Sequence, residues 1–249
     1  MPLPWRRALV VGASSGIGAA IARRLAQEGA RIALVARRAD ELTRVAGEIE
    51  ARGAGTAVVR VHDVRRPETV PALFRDVCDA LGGLDLVVYA AGVMPHIRED
   101  QYDLEADRAT VDVNLLGAIA WLNEAALRFA AAGGGTIIGI SSVAGDRGRR
   151  GNPAYSASKA GLTTYLEALR NRLARRGVVV VTAKPGPVDT PMSAGRDRLP
   201  FLISASEAAR LILAGAARGA ATVYVPARWR PIMAILRAIP SRIFRRLDV

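Results

Sequence analysis

Tyr155 and Lys159 stand four residues apart in the segment Tyr155-Ser-Ala-Ser-Lys159. On a helix that spacing puts both side chains on one face, so an ammonium lies beside a phenolic hydroxyl. A free tyrosine titrates near ~10 and relays protons poorly at neutral pH, whereas a neighbouring cation stabilises the phenolate and lowers that value. The pair suits giving a proton to a carbonyl oxygen or taking one from an alcohol. In an arbitrary helix the same two residues also describe a packed tyrosine beside a lysine whose stem covers apolar surface. Composition favours the chemical reading: of 35 basic residues only Lys159 and Lys184 are lysine, and one of the two sits here. Lys184, just before Pro185, reads as an end-of-strand surface residue.

A second group of residues suits an anion. Gly12-Ala-Ser-Ser-Gly16-Ile-Gly18 follows the apolar pair Val10-Val11 and opens a helical pattern over residues 17–25. Its glycines let the backbone turn tightly and approach a pyrophosphate, and the helix start offers unpaired N–H groups and a positive dipole end. Glycine also closes ordinary strand-to-helix loops; the place of this turn between strand and helix favours a nucleotide site.

These groups need a frame. Short β-branched apolar runs at 8–11, 31–36, 56–61, 84–90, 136–141 and 178–183 alternate with helical stretches of ten to twenty residues. Runs such as Val178-Val-Val-Val181 are apolar on both faces, so they belong inside a sheet covered on each side. Parallel strands joined by right-handed crossovers meet that demand, which predicts a doubly wound, three-layered α/β fold of Rossmann type. A last strand is expected at 221–225. No linker or repeat divides the chain, so residues 1–249 read as one dinucleotide-binding and catalytic domain with a basic amphipathic tail at 228–249.

Composition narrows the function. With 249 residues, 51% of them apolar, the chain can bury a substantial core. One cysteine, Cys78, and two histidines, His62 and His96, leave no material for a thiolate zinc site or a histidine-rich metal centre. The net charge of +12 is spread as scattered arginine without a basic run of five or interleaved aromatics, which disfavours nucleic acid. No apolar segment of signal-peptide length precedes Gly12 and apolar stretches fall short of the ~20 residues of a membrane span, so a cytoplasmic location is expected.

The G-x-x-x-G-x-G spacing of Gly12, Gly16 and Gly18 resembles the short-chain dehydrogenase/reductase family in its compact single-domain branch. Later segments agree in order. Ala90-Ala91-Gly92 stands where the family carries N-A-G, Asn114-Leu-Leu-Gly117 matches N-x-x-G, and Ser141-Ser142 ends the fifth strand. Tyr155 and Lys159 match Y-x-x-x-K, thirteen residues after Ser142 as in the family, and Pro185-Gly186 follows the sixth strand. The likeness covers about residues 8 to 192; Ala90 in place of asparagine is a mild departure.

The resemblance implies roles. Ser142 would orient the substrate oxygen, Tyr155 would exchange the proton as the nicotinamide exchanges hydride, and Lys159 would lower the tyrosine pKa and hold the nicotinamide ribose. Asn114 would anchor a water linking Lys159 to solvent; by itself it also reads as a polar helix residue satisfying backbone groups. Alcohol oxidation should rise with pH along one ionisation below the free-tyrosine value. Gly12, Ser14, Ser15, Gly16, Ile17 and Gly18 would cradle the dinucleotide, with Ala90, Ala91 and Gly92 beside it. Asp63 would accept from the adenine amino group next to Val64, while Pro185, Gly186, Val188 and Thr190 would hold the carboxamide.

At the end of the second strand the first side chains are Arg37 and Arg38, whose guanidinium groups pair with a 2′-phosphate, and Ser14 can add a hydroxyl. NADP(H) is therefore expected, with NAD(H) open if the arginines merely cap the strand and Asp40 serves the ribose. Residues 191–206 mix Leu199-Pro200-Phe201-Leu202-Ile203 with Arg196, Asp197 and Arg198, as a lid over a hydrophobic carbonyl or alcohol would. Met94 and His96 should border the same cleft. The expected protein is an NADP(H)-dependent oxidoreductase acting as a homodimer or homotetramer; a nucleotide-sensing module without turnover is the rival class. In the tail, Ile232, Ile235, Leu236, Ile239 and Ile243 alternate with arginines, which suits two short helices packed on the core or on another subunit. An anionic membrane surface is the alternative, less favoured because Pro231 and Pro240 interrupt a long helix.

Overall fold

A computed structural model describes residues 2–53, 55–195 and 199–247. Strands β1 (Arg7–Val11), β2 (Arg31–Ala36), β3 (Thr56–Val61) and β4 (Leu86–Tyr89) alternate with helices α1 (Gly16–Gln27), α2 (Ala39–Glu50) and α3 (Val70–Leu81). After β4 one continuous helical run comprises α4 (Leu104–Val111), a wide π turn (Asp112–Leu116) and α5 (Gly117–Ala132). Then come β5 (Gly135–Ile140), α6 (Pro153–Leu173), β6 (Val178–Pro185), the two-residue strands β7 (Val188–Asp189) and β8 (Ile203–Ser204), and α7 (Ala205–Ala217). Strand β9 (Thr222–Val225) and helices α8 (Trp229–Ala238) and α9 (Ser241–Phe244) complete the order.

Seven strands form one parallel sheet in the order β3-β2-β1-β4-β5-β6-β9. The period of two sorts each strand between two cores. Ala8 and Val10 of β1 pack with Ile21, Leu25, Leu42 and Ile212 of α1, α2 and α7, whereas Leu9 and Val11 pack with Phe74, Trp121 and Leu162 of α3, α5 and α6. This is the expected three-layered doubly wound Rossmann-type fold. The chain winds outward from β1 to β3, then restarts at β4 on the other side of β1, and that reversal opens a crevice at the carboxyl ends of β1 and β4.

The strands expected at 31–36 and 56–61 have those bounds, and the others differ by one to three residues. The expected 84–90 run shrinks to four strand residues because Leu84 and Ala90 lie beyond the ladder. The β7–β8 pair was not anticipated; two residues per strand carry no periodicity to detect. The Leu104–Ala132 run is also longer and more apolar than the sequence reading allowed, enough by length and composition to cross a membrane. Its Ala118, Trp121, Leu122, Ala125 and Phe129 are fully buried against the sheet, which makes it a core helix.

In the tail Pro231 does not interrupt a helix. It occupies the first turn of α8, where its missing N–H would have had no partner. Pro240 does separate α8 from α9. Trp229 and Met233 of α8 are buried against Val143, while Ile235 and Ile243 are 66% and 54% exposed.

Candidate active site

One cleft of about 940 Å³ opens at the carboxyl ends of the strands and is lined by the glycine-rich turn, the ends of β4, β5 and β6, α6, and the start of α8. Gly12 adopts φ +92°, and a Cβ there would lie 2.3 Å from the backbone nitrogen of Ala91. At Gly18 a Cβ would come within 2.2 Å of the Gly12 carbonyl oxygen, so helix α1 can start only against a bare backbone. Gly18 is buried behind the turn and not on the cleft wall, whereas Gly12, Ser14, Ser15, Gly16 and Ile17 line it. Ser15 precedes α1 in extended conformation, yet its side chain caps no backbone N–H. Its hydroxyl accepts instead from Arg38 at 2.6 Å, and the same guanidinium nitrogen reaches the Ser14 hydroxyl at 2.9 Å. The turn thus presents an uncapped helix start beside an arginine and two hydroxyls, with Arg37 adjoining. Asp40 lies exposed in the first turn of α2 and is not part of the wall.

Val64, Ala90, Ala91 and Gly92 continue the wall, with Asp63 among them. Arg65 clamps both carboxylate oxygens of Asp63 at 2.6–3.1 Å, and these hydrogen bonds hold its pKa down at about 2 despite partial burial. His62 is half-engaged elsewhere: its Nε2 pairs with the Thr69 hydroxyl at 2.9 Å, and its ring meets Trp121 edge-on.

Tyr155, Lys159 and Ser142 sit across the crevice. Asn152 caps α6 by accepting from the Tyr155 N–H at 2.9 Å and donates to the Pro95 carbonyl at 3.0 Å, which ties the start of α6 to the loop after β4. One turn on, the Lys159 ammonium lies 5.8 Å from the Tyr155 ring centre and donates to the Ile140 carbonyl at 2.9 Å. Lys159 is 4% exposed, and burial pushes its pKa down to about 8. The tandem serines separate by direction. Ser141 donates back to the Lys159 carbonyl at 2.8 Å and contacts Thr163, holding α6 on the sheet. Among the described residues Ser142 has only a long bond to the Pro185 carbonyl, 3.4 Å, and a contact from the Ala144 N–H, which leaves its hydroxyl able to meet a ligand.

Asn114 lies in the π turn, a distortion that often marks functional positions. Fully buried, it accepts from the Val93 N–H at 2.8 Å and donates to the Val93 carbonyl and to Ser158 at 3.0 and 3.1 Å. A Cβ on Gly92 would lie 3.3 Å from its Oδ1 and 3.4 Å from the Lys159 ammonium, so Asn114 and Lys159 share one corner. Its two bonds to the Val93 backbone match the alternative of a polar residue satisfying backbone groups, in addition to its place beside Lys159.

The far wall comprises Pro185, Gly186, Val188 and Thr190, with Leu199 and Pro200 from the segment after β7. Arg196, Asp197 and Arg198, expected in that segment, lie outside the described residues. Trp229 was not anticipated. Its indole lies against Gly186, where a Cβ would fall 2.0 Å from Nε1, and Phe201 meets it edge-on with ring centres 5.7 Å apart. Met94 lines the cleft as expected; His96 does not, being exposed on the loop beyond it.

Lys184 corrects the surface assignment. It is buried at the end of β6 and paired with Asp146, whose other oxygen accepts from the Tyr224 hydroxyl at 2.7 Å. Asp146 lies in the segment between Ser142 and Tyr155, and three arginines of that segment face α8 and α9. Arg147 donates to the Leu236 and Arg237 carbonyls, covering the end of α8, and lies 4.2 Å from the Phe244 ring centre. Arg150 donates to the Arg245 carbonyl. Arg149 points to Met233 and lines the cleft. Spacing alone could not have found Asp146 or Arg149, since a run of charges in a loop reads as solvated surface.

The arrangement can bind an anion at a helix start and move a proton at the Tyr155 hydroxyl beside a buried cation. Among the described residues no group of three histidine, cysteine or acidic side chains could hold a metal ion. The sequence profile of the short chain dehydrogenase family matches residues 6–198. An uncharacterized oxidoreductase of Streptomyces coelicolor is 37% identical over 250 residues, 99% of this chain and 97% of that protein. Another from Mycobacterium tuberculosis is 34% identical over 244 residues, 97% of this chain and 96% of its own. Among solved structures, a short-chain type dehydrogenase/reductase from Mycobacterium ulcerans superposes with a TM-score of 0.80 at 28% identity, covering 88% of this chain and 87% of that one. A variant of actinorhodin polyketide ketoreductase with NADPH gives 0.80 at 30% identity, covering 88% and 95%.

Proposed function

The chain belongs to the short-chain dehydrogenase family of oxidoreductases, which use a nicotinamide cofactor on small-molecule substrates, and from that premise we propose an NADP(H)-dependent reductase of carbonyl compounds with Tyr155 as general acid and base. The observation that carries this reading is the Tyr155–Lys159 pair with Ser142 on one wall of a cleft whose other wall is the glycine-rich turn.

The residues present fit a dinucleotide. Gly12 and Gly18 leave a cradle that Cβ atoms would fill, and the uncapped start of α1 faces a phosphate. Arg38, held by Ser14 and Ser15, together with Arg37 would take a 2′-phosphate; the solved ketoreductase with NADPH supports the same choice. Asp63 and Val64 would border the adenine, and Pro185, Gly186, Val188 and Thr190 the carboxamide. A bound nicotinamide supplies hydride to the carbonyl carbon or accepts it from the alcohol.

The remaining work falls to side chains of this protein. Ser142 donates to the substrate oxygen and fixes its position. Tyr155 delivers its phenolic proton to that oxygen as negative charge develops there, or takes the proton in the oxidising direction. Lys159 lowers the cost of the phenolate through its nearby charge and would hold the nicotinamide ribose hydroxyls. Asn114 holds Gly92–Val93 and α6 in register beside Lys159 and would carry the water that returns the proton. Leu199, Pro200, Met94 and Val143 make the substrate end largely apolar. A homodimer or homotetramer in the cytoplasm accords with the family and the sequence.

Consumption of NADPH and NADH with ketones and aldehydes of rising size tests the reading. Turnover with NADPH is expected, falling by about 10²-fold or more in Tyr155→Phe, with cofactor affinity within a few fold of the parent. A broad panel without turnover, or an unimpaired Tyr155→Phe, refutes it and leaves a nucleotide sensor.

A further inference from the structure

We propose that Arg149 recognises a carboxylate on the substrate, so that the preferred carbonyl or alcohol carries an acid group besides the reacting carbon. The inference rests on the reductase reading above and names the substrate class for that same cleft.

Three observations carry it. Arg149 lies between Ser142 and Tyr155 in the chain and, with both, forms part of the cleft wall. Among the described residues its Nε is buried with no hydrogen-bond partner, and Nη2 reaches only the Met233 sulfur at 3.5 Å. No described carboxylate lies within ion-pair distance of it.

The protein treats its other withdrawn cations differently. Arg170 donates to the Val180 and Ala221 carbonyls and to the Thr182 hydroxyl. Lys159 has the Ile140 carbonyl, and Lys184 has Asp146. The charge of Asp146 favours that of Arg149, but its oxygens are engaged by Lys184 and Tyr224. A half-buried guanidinium whose Nε has lost water without gaining a partner is poorly compensated, and an anion docking in the cleft would compensate it. Burial also depresses the pKa of Arg149, in keeping with that deficit.

The chemistry selects a carboxylate. A guanidinium edge matches the two oxygens of a planar monoanion in parallel hydrogen bonds. Val143 and Trp229, which line the cleft and pack with the same Met233 that Arg149 touches, suit an apolar chain leading to one charged end. A phosphate dianion would call for further cations, and Arg147 and Arg150 are turned to the carbonyls of the tail.

The test pairs oxo acids of six to ten carbons with their methyl esters, using NADPH and the full-length protein, Arg149→Met and Arg149→Lys. The wild type should prefer acid over ester by at least tenfold in kcat/KM. Arg149→Met should lose that preference through a higher KM for acids, with esters within about threefold, and Arg149→Lys should retain part of it. Calorimetric titration of decanoate and methyl decanoate, with and without NADP+, gives a readout that needs no turnover. Decanoate should bind more tightly than its ester, and at least tenfold more tightly to wild type than to Arg149→Met. Equal use of acid and ester, equal decanoate affinity in both proteins, or no decanoate binding by the wild type overturns the proposal. The reductase reading fails separately, by an absence of NADPH or NADH consumption across neutral ketones and aldehydes as well. Should Arg149→Met not fold, the acid-to-ester ratios of wild type and Arg149→Lys decide.

Discussion

The Lys159 ammonium lies 5.8 Å from the centre of the Tyr155 ring and is buried with the Ile140 carbonyl as its one hydrogen-bond acceptor among the described residues. The arrangement is costly for the fold and useful for the site. Withdrawn from water and without a carboxylate, the charge lowers the free energy of a phenolate beside it more than a solvated lysine would. The frame that holds the pair is rigid: α6 is tied to β5 through Ser141 and to the loop after β4 through Asn152.

Lys159→Met should therefore raise the stability of the cofactor-free protein while abolishing turnover. Burial moves the lysine pKa from its ordinary 10.5 to about 8, a difference of about 3 kcal/mol between folded and unfolded states. Because the folded value is the lower one, the unfolded chain binds more protons between these limits. The penalty is full below pH 8 and fades as pH rises toward 10.5. Denaturation midpoints at pH 7 and pH 10 should show the variant's advantage at pH 7 and little of it at pH 10. A variant less stable than the parent at pH 7 contradicts the uncompensated charge.

Arg38→Ala should weaken NADPH selectively. The guanidinium is already held by the hydroxyls of Ser14 and Ser15, so its loss removes a charge-assisted phosphate contact of about 1.5–3 kcal/mol. An increase in the KM for NADPH of roughly 10- to 100-fold is expected, with NADH changed little. Equal effects on both cofactors would assign Arg38 to the shape of the turn alone.

Gly18→Ala should fail for a reason unrelated to helix propensity, which alanine improves. Its Cβ would lie 2.2 Å from the Gly12 carbonyl oxygen, so α1 must move off β1. A loss of about 1–3 kcal/mol in stability is expected, together with weakened dinucleotide binding. Gly47→Ala is the control, because nothing beyond its own helix backbone lies within 4 Å of a Cβ at that position. Chemical denaturation of the two variants side by side makes the comparison.

Much of this was legible beforehand because its signals are local. Strand runs, the glycine turn and the four-residue spacing of Tyr155 and Lys159 each declare themselves within a short window, and the doubly wound topology follows from alternation. What escaped depends on contacts between distant segments. Lys184 reads as a strand-end lysine until β9 brings Tyr224, and the loop after β5 brings Asp146, to its ammonium. Trp229 joins the cleft because α8 folds back over Val143, and nothing in the spacing of the tail says which face it turns inward. Pro231 was misjudged for a different reason. The same residue breaks a helix in its interior and starts one in its first turn, and the boundary that decides between these is the least certain feature of a sequence.

The Asp146–Lys184 pair supplies the last test, since Asp146 follows Ser142 by four residues and the pair is withdrawn from solvent on both sides, with side-chain exposures of 2% and 7%. Breaking a buried pair by removing one member leaves the other uncompensated, which costs about 3–5 kcal/mol, whereas removing both can be nearly neutral. Asp146→Asn should thus destabilise strongly by stranding the ammonium. Lys184→Met should cost less, because Asp146 keeps the Tyr224 hydroxyl. The double variant should recover most of the loss in Asp146→Asn. Tyr224 offers a check on the same network: burial first, then the hydrogen bond and charge of Asp146, push its pKa up to about 12. A raised folded value means that its contribution is complete below pH 10 and is lost as pH climbs toward 12. Tyr224→Phe should flatten that part of the stability profile, and an unchanged profile would show that the alkaline loss arises elsewhere. If the pair also positions Ser142, Asp146→Asn will lower kcat in the surviving folded fraction while leaving the KM for the nicotinamide unchanged. A variant that loses stability with kcat intact would confine the pair to structure.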